Sequence, residues 1–190
     1  MQKLLFSLGG APWMNLINTV YTSDKQTVDT LDDVDATREW LIENALLRTH
    51  DSFQHQTNAE DDFLIQHLTS LRTLCTTILT DLLEKGSLSS SSKKLMKEYV
   101  KDVQLDLSLG EKISLLYEGT TLPHHLTYKI VESILSTVDK VAPTRIRNCE
   151  HHDCQLYFID TSKSGKRRWC SMELCGNRQK AAEFYARKKK

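Results

Sequence analysis

The chain has 190 residues, of which 39% are apolar and 26% are charged, and its 25 basic and 25 acidic side chains cancel. This length provides one sizeable core and a small appendage, and the composition is that of a soluble globular protein. No apolar run approaches the roughly 18–20 residues that span a bilayer, and the first ten residues are too weakly apolar for a secretory signal. The sequence therefore excludes a membrane-spanning chain and predicts a cytoplasmic one.

The charges are distributed unevenly along the chain. Residues 143–190 carry 12 basic and 5 acidic side chains, a net charge of +7, which leaves −7 for residues 1–142. A basic end beside an acidic body is typical of a protein whose basic end binds a polyanion. A basic tail that aids solubility, or that docks on the acidic body, explains the same distribution.

The N-terminal third contains two short apolar segments. Residues 11–20 fit either a short strand leading into a helix or the first turns of a helix. A helix follows over about 36–48, with Asp33 or Asp35 as its N-cap. Its predicted inner face consists of Trp40, Leu41, Ala45 and Leu46.

The clearest helix covers about residues 59–85, with Asn58 as its predicted cap and Gly86 as its C-terminal stop. One apolar stripe recurs along it at spacings of three and four, which indicates a core face rather than a dimer seam. The stripe includes Cys75, a buried small hydrophobic residue in this interpretation. Its members are Leu64, Leu68, Leu71, Cys75, Ile78 and Leu82.

The next segment changes period from helix to strand. The polar run 87–92 predicts a loop, and residues 93–101 predict a helix. Apolar residues then alternate on both sides of Gly110-Glu111, which predicts a β-hairpin. The alternating residues are Val103, Leu105, Leu107 and Leu109 before the turn, and Ile113, Leu115 and Tyr117 after it.

A last body helix is predicted over about 123–140, where Pro123 suits the first turn and Ala142-Pro143 ends the helix. The charge changes sign at the same place, so the sequence predicts a domain boundary between residues 142 and 143. The predicted fold class is α+β, mostly α. The inward residues of this helix are Leu126, Ile130, Ile134, Leu135 and Val138.

Four cysteines in the basic segment form two pairs, each with four residues between its members. Thiolates are preferred ligands of structural zinc, and four of them complete a tetrahedron, so we expect one structural Zn²⁺ held by Cys149, Cys154, Cys170 and Cys175. His151 and His152 lie between the first two cysteines and compete with them as ligands. The favoured interpretation is an all-thiolate site. A catalytic zinc is disfavoured because catalytic zinc sites keep an open coordination position.

The remaining pattern of this segment predicts a knuckle, a β-hairpin and a helix. Residues 144–148 form an extended arm, and residues 155–160 and 166–169 are the predicted strands of the hairpin. Ser171 caps a helix over 172–187, and Gly176 allows a close backbone approach near the metal. So small a core does not offset the chain entropy by itself, so the segment is expected to depend on zinc for its folding.

Several polar residues of this segment suit nucleic-acid contacts. Arginine guanidinium groups match phosphate oxygens and guanine edges, whereas Trp169 beside a ligand is more typical of packing. The tail 188–190 adds nonspecific phosphate attraction. The candidate contacts are Arg167, Arg168, Arg178, Lys166, Asn177 and Lys180.

Three strings of this segment closely resemble the bacterial CGNR zinc finger over about residues 145–187: 158–162, 167–172, and Cys175-Gly176-Asn177-Arg178 with Lys180. More weakly, Leu16-Ile17-Asn18-Thr19 and the helix around Trp40-Leu41 resemble the ABATE domain that usually precedes this finger. The chain has Met14-Asn15-Leu16 where that family usually has an aspartate. The resemblance implies zinc binding and a role in stress-induced transcription regulation.

These observations favour a DNA-binding transcription regulator, in which the basic segment binds duplex DNA and the body senses a signal or forms a homodimer. The alternative is an adaptor that binds RNA, RNA polymerase or another protein. Catalysis is disfavoured because no nucleophile elbow, phosphate loop or dinucleotide fingerprint occurs. The body histidines His50, His55, His67, His124 and His125 have unrelated spacings.

Overall fold

A computed structural model describes residues 6–23, 26–48, 51, 57–109 and 115–188. Within these ranges the fold is mostly helical with small antiparallel hairpins, which confirms the predicted fold class, although the β1–β2 hairpin is one that the sequence did not predict. None of the helices in these ranges is long and apolar enough to cross a bilayer. The elements are α1 Pro12–Ile17, β1 Val20–Ser23, β2 Gln26–Asp29, α2 Val34–Glu43, α3 Asn58–Lys85, α4 Ser90–Val100, β3 Leu105–Leu109, β4 Leu115–Gly119, α5 Leu122–Lys140, β5 Ile146–Asn148, β6 Tyr157–Ile159 and α6 Asn177–Lys188.

Helix α3 is the central element of the body, and all six residues of its predicted apolar stripe are buried. Thr57, rather than the predicted Asn58, is the N-cap. It forms a capping box in which its backbone N–H donates to the Glu60 carboxylate at 2.8 Å. Gly86 ends the helix at a φ of 66°, a left-handed conformation that glycine adopts without penalty.

Helix α2 ends earlier than the sequence predicts. Asp33 is its N-cap, and the helix stops at Glu43 because Ala45 takes a φ of 51°. Trp40, Leu41 and Leu46 are buried, but the predicted inward position of Ala45 is wrong, since this residue is exposed. In the preceding segment 11–20 the helical alternative is confirmed, since the short helix α1 ends at Ile17, and the alternative of a strand leading into a helix is wrong, because β1 follows the helix.

The serine run 87–92 is not a loop throughout, because α4 already begins at Ser90. Ser89 caps this helix. The Asp81 carboxylate of α3 accepts hydrogen bonds from the Ser92 hydroxyl at 2.5 Å and from the Ser89 backbone N–H at 2.9 Å. Serine side chains compete for backbone bonds within helices but suit their first turn, and here a buried carboxylate stabilises that turn.

The predicted body hairpin is present as β3 and β4, which pair with Leu107 opposite Tyr117. Its predicted turn residues Gly110 and Glu111, and Ile113, lie outside the described residues. In α5, Leu126, Ile130 and Ile134 are buried and Val138 is half-buried. The predicted inward position of Leu135 is wrong, since 49% of this residue is exposed.

The hairpin of the cysteine-rich segment uses a different pair of strands from the predicted one. The arm before the first cysteine forms β5, which pairs with β6 so that Ile146 lies opposite Ile159. Residues 166–169, predicted as a strand, have no strand structure. Ile146 and Ile159 pack into the same apolar core as Trp13 and Leu68 of the body. The boundary between residues 142 and 143 stays a prediction, and apolar contacts extend across it.

Candidate metal centre

The sulfur atoms of the four cysteines lie close together, and two short segments of the chain carry them. Cys149 follows β5 directly, and Cys154 ends the knuckle loop (residues 149–154), in which the Cys154 N–H donates to the His151 carbonyl at 2.9 Å. Cys170 precedes a π-helical turn over Met172–Gly176, and Cys175 lies within that turn. As predicted, Ser171 caps this turn, because its hydroxyl accepts the Leu174 N–H at 3.2 Å.

The sulfur positions fit a tetrahedral zinc ion. All four Sγ atoms lie within 4.8 Å of one another. Cys170 Sγ is 3.7 Å from both Cys154 Sγ and Cys175 Sγ. Four bonds of about 2.3 Å in a tetrahedron separate ligand sulfurs by about 3.8 Å. The cluster therefore has the dimensions of a Cys₄ zinc site.

The cluster is also buried and oriented by backbone groups. Cys149, Cys170 and Cys175 are buried, and the Cys170 N–H donates to Cys149 Sγ at 3.4 Å. Without the ion, contact with the Cys149 sulfur, then with the other two sulfurs and with the apolar surroundings, raises the pKa of the Cys170 thiol. Zinc binding then displaces protons from the cluster, so that metal affinity falls with acidification.

The histidines of the knuckle loop are outside the sulfur cluster. His151 is buried, and its Nδ1 accepts the Asp153 N–H at 3.2 Å. His151, His152 and Asp153 form a separate group, in which His152 Nε2 lies 2.9 Å from an Asp153 carboxylate oxygen. The structure thus favours the all-thiolate alternative over a histidine ligand.

Comparison with known families agrees with this geometry. Residues 145–188 match the model of the CGNR zinc finger. No curated protein matches the chain in a sequence search. Together with the sulfur geometry, the match assigns residues 145–188 as a zinc-finger region and Zn²⁺ as its metal. The ABATE resemblance of residues 1–142 stays a prediction.

Gly176 of the CGNR string occupies a crowded position. A Cβ atom here would lie 2.5 Å from Met172 Sδ and 3.4 Å from a Trp169 ring carbon. The expected close approach is therefore to two side chains that cover the π-helical turn. Trp169 itself is half-buried and packs against the cysteine cluster, as predicted.

The predicted contact residues fall into two groups. Arg167 points into the zinc-finger region. Its Nε donates to the Trp169 carbonyl at 2.8 Å, and another of its guanidinium N–H groups donates to the Cys170 carbonyl. The guanidinium group also stacks on the buried Phe158 ring. Arg168 is exposed but forms an ion pair with Glu150 at 2.5 Å. The exposed remainder is Lys166, Asn177, Arg178 and Lys180.

Two residues that the sequence did not identify, Asp160 and Arg145, position the loops that carry the cysteines. Asp160 is buried, and its carboxylate accepts the backbone N–H groups of Ser162 and Arg167, both at 2.9 Å. Burial would raise the pKa of Asp160, but the hydrogen bonds and nearby Arg145 lower it, so the group stays ionised. Arg145 donates to the Ser162 carbonyl at 2.7 Å. The spacing Asp160-Thr161-Ser162, typical of an Asx turn, is the signal that identifies the first of these residues.

Proposed function

We propose that the protein is a zinc-dependent transcription regulator that binds duplex DNA through α6 and the loop before the metal centre. The observation that carries this proposal is the exposure of α6. The helix starts at Asn177, directly after the π-helical turn that contains Cys175, and none of its twelve residues is buried. It carries four basic side chains and one acidic one.

An isolated helix of this length is marginal in water, because most helix stability in proteins comes from packing of an apolar face. Helix α6 contacts the π-helical turn before it but has no extensive contact with the rest of the described fold. Phe184 and Tyr185 on it are exposed as well. The major groove of DNA is about 12 Å wide and admits one helix, so duplex DNA offers α6 the contacts that the fold lacks.

The candidate contact set is narrower than the sequence predicts. Arg178 and Lys180 lie on the first turn of α6, and Lys166 lies on the loop before Cys170, all three exposed. Arg168 joins them if a phosphate replaces Glu150 as its partner. Arg167 is assigned a positioning role instead, since its guanidinium group bonds to the carbonyls of the zinc loop.

The proposal describes a binding protein rather than an enzyme, as the sequence favours. Residues 1–142 would then serve for sensing or dimerisation, as the sequence suggests.

The test is a random-duplex selection with zinc-loaded full-length protein, followed by titration of the enriched duplex at several salt concentrations. We expect binding that is lost when zinc is removed. Replacing Arg178 and Lys180 together by Gln is expected to weaken binding and reduce the salt slope by about 0.9 for each lost phosphate contact. The matched control replaces the exposed α4 residues Lys93 and Lys94 by Gln, which removes the same charge from the body.

Two outcomes contradict the proposal. One is the absence of any enriched duplex while zinc stays bound. The other is an equal loss of affinity in the α6 variant and the control variant, which indicates attraction to net charge alone. Tighter binding to single-stranded RNA than to the selected duplex would favour the adaptor alternative.

A further inference from the structure

The β3–β4 hairpin presents an apolar face to solvent. Side chains alternate along a strand, and cross-strand partners share a face, so Leu105, Leu107 and Leu109 lie on the same face as Tyr117 and Leu115. All five are exposed, with 58% of Leu107 and 76% of Leu109 accessible. Contiguous exposed apolar surface of this kind marks an interaction site.

The outer edge of β3 is also open. The Thr120 N–H donates to the Gln104 carbonyl at 3.0 Å, so the backbone groups of Gln104 point toward β4. Alternation then directs the N–H and C=O groups of Leu105, Leu107 and Leu109 away from β4. Within the described ranges these six groups lie on an edge with no neighbouring strand, because β3 pairs with β4 alone.

We propose that this edge pairs with β3 of a second copy of the chain, antiparallel and with Leu107 opposite Leu107. The two hairpins then form one four-stranded sheet about a twofold axis. In this register Leu105 of one copy lies opposite Leu109 of the other. All six outward backbone groups of each strand gain a partner, since the three outward residues form hydrogen-bonded pairs.

The side chains fit this register. Asp106 lies opposite Ser108 of the second copy, so no like charges face each other across the new strand pair. Pairing of β4 with itself about Tyr117 would instead place Leu116 opposite Glu118. Strand β3 also lacks the lysine and proline residues that commonly protect a sheet edge from association.

A neighbouring groove supplies the second part of the interface. Leu105 lines a groove of about 1020 Å³ together with Val100, Val103 and Leu135, and 37% of Val100 and 49% of Leu135 are exposed. Because Leu109 of the second copy lies beside Leu105, its side chain reaches the mouth of this groove. Stable dimers bury roughly 1,200–2,000 Å² in total, and the groove adds apolar area to what the strand pair covers.

The test measures the mass of zinc-loaded full-length protein by light scattering after size exclusion, at about 1 to 100 µM. We expect a dimer of twice the 21.8 kDa chain mass. Leu107→Lys is expected to yield a monomer with unchanged zinc content and helical circular dichroism. The matched control is Phe63→Lys, which places the same charge at an exposed aromatic residue of α3. A monomeric wild type at 100 µM, or a Leu107→Lys protein that stays dimeric, overturns the proposal.

Cysteine substitution tests the register independently of stability. Non-hydrogen-bonded antiparallel pairs have Cα atoms about 4.5 Å apart and the closer side chains, which suits a disulfide. Asp106 of one copy and Ser108 of the other form such a pair in this register. Under mild oxidation with zinc bound, Asp106→Cys is expected to cross-link efficiently only when mixed with Ser108→Cys. Equally efficient self-linking of either variant, or no linking of the mixture, rules out this register.

Discussion

Asn18 and Tyr157 exchange two hydrogen bonds across 139 residues of chain. The Asn18 side-chain amide donates to the Tyr157 carbonyl at 2.7 Å, and its oxygen accepts the Tyr157 N–H at 2.9 Å. Asn18 is buried and follows α1, whereas Tyr157 begins β6 of the zinc-finger region. The asparagine therefore serves β6 as a neighbouring strand would, and joins the zinc-finger region to the body.

Replacing Asn18 by Asp is expected to lower the free energy of unfolding by about 1–3 kcal/mol, because a carboxylate oxygen would face the Tyr157 carbonyl without a proton between them. Chemical denaturation at neutral pH measures this loss. The control Gln66→Glu makes the same chemical change on the exposed surface of α3 and is expected to be close to neutral. Equal stability of Asn18→Asp and the control would show that the two hydrogen bonds contribute nothing.

Cysteine substitution is expected to separate the metal ligands from the fifth cysteine. Cys170→Ala removes one of four thiolates, so zinc content measured by mass spectrometry of the metal should fall from about one ion per chain toward zero. Cys75→Ala is the internal control. Cys75 is buried in α3, where burial raises the pKa of its thiol, and the ion should stay fully bound in this variant. Loss of zinc from both variants would mean that metal binding reports global unfolding.

Removal of zinc is expected to loosen only part of the zinc-finger region. β6 keeps contacts that need no metal, since the Ile159 N–H donates to the Gly9 carbonyl at 2.9 Å in addition to the Asn18 bonds. Among the hydrogen bonds of the described residues, none joins the knuckle loop or α6 to residues 6–142. Hydrogen exchange with and without a chelator should therefore show faster exchange over residues 149–154 and 170–188, with 157–159 changed little. Uniformly fast exchange over 145–188 would show that the whole region folds only with metal.

Local sequence rules predicted the elements that have strong periodicity or unambiguous end signals. The stripe of α3, its stop at Gly86, and the alternation around Leu107 and Tyr117 each required only contacts within one element. The cysteine spacing likewise identified the metal ligands without any knowledge of the fold. These features are encoded by residues that are near each other along the chain.

The remaining errors arose where a distant residue decides the local structure. Ser90 lies in a helix because Asp81 stabilises the first turn, and sequence near Ser90 contains no sign of that carboxylate. The strand partner of β6 is β5 rather than residues 166–169, since Ile146 and Ile159 are drawn together into the body's core. Arg167 resembled a phosphate contact, yet its position over Phe158 places it inside the module.

The buried His125 and the half-buried His67 are expected to make the fold sensitive to acid. Burial, first among the causes, lowers the pKa of His67 and of His125, and for His125 the nearby Lys129 lowers it further while Glu118 and Asp51 oppose this effect. Unfolded histidine has a pKa of about 6.5. Below about pH 6.5 the unfolded chain therefore binds protons that the folded chain does not bind. The free energy of unfolding then falls by at most about 1.4 kcal/mol per pH unit for each histidine.

Denaturant titrations of zinc-loaded protein between pH 7.5 and 5.5 measure the slope of the free energy of unfolding against pH. His67→Gln and His125→Gln should each flatten it, because glutamine takes up no proton in this range. Subtraction of the variant curve from the wild-type curve removes the contribution of the cysteines, which is common to both. Parallel curves for wild type and both histidine variants would show that neither histidine causes the acid sensitivity.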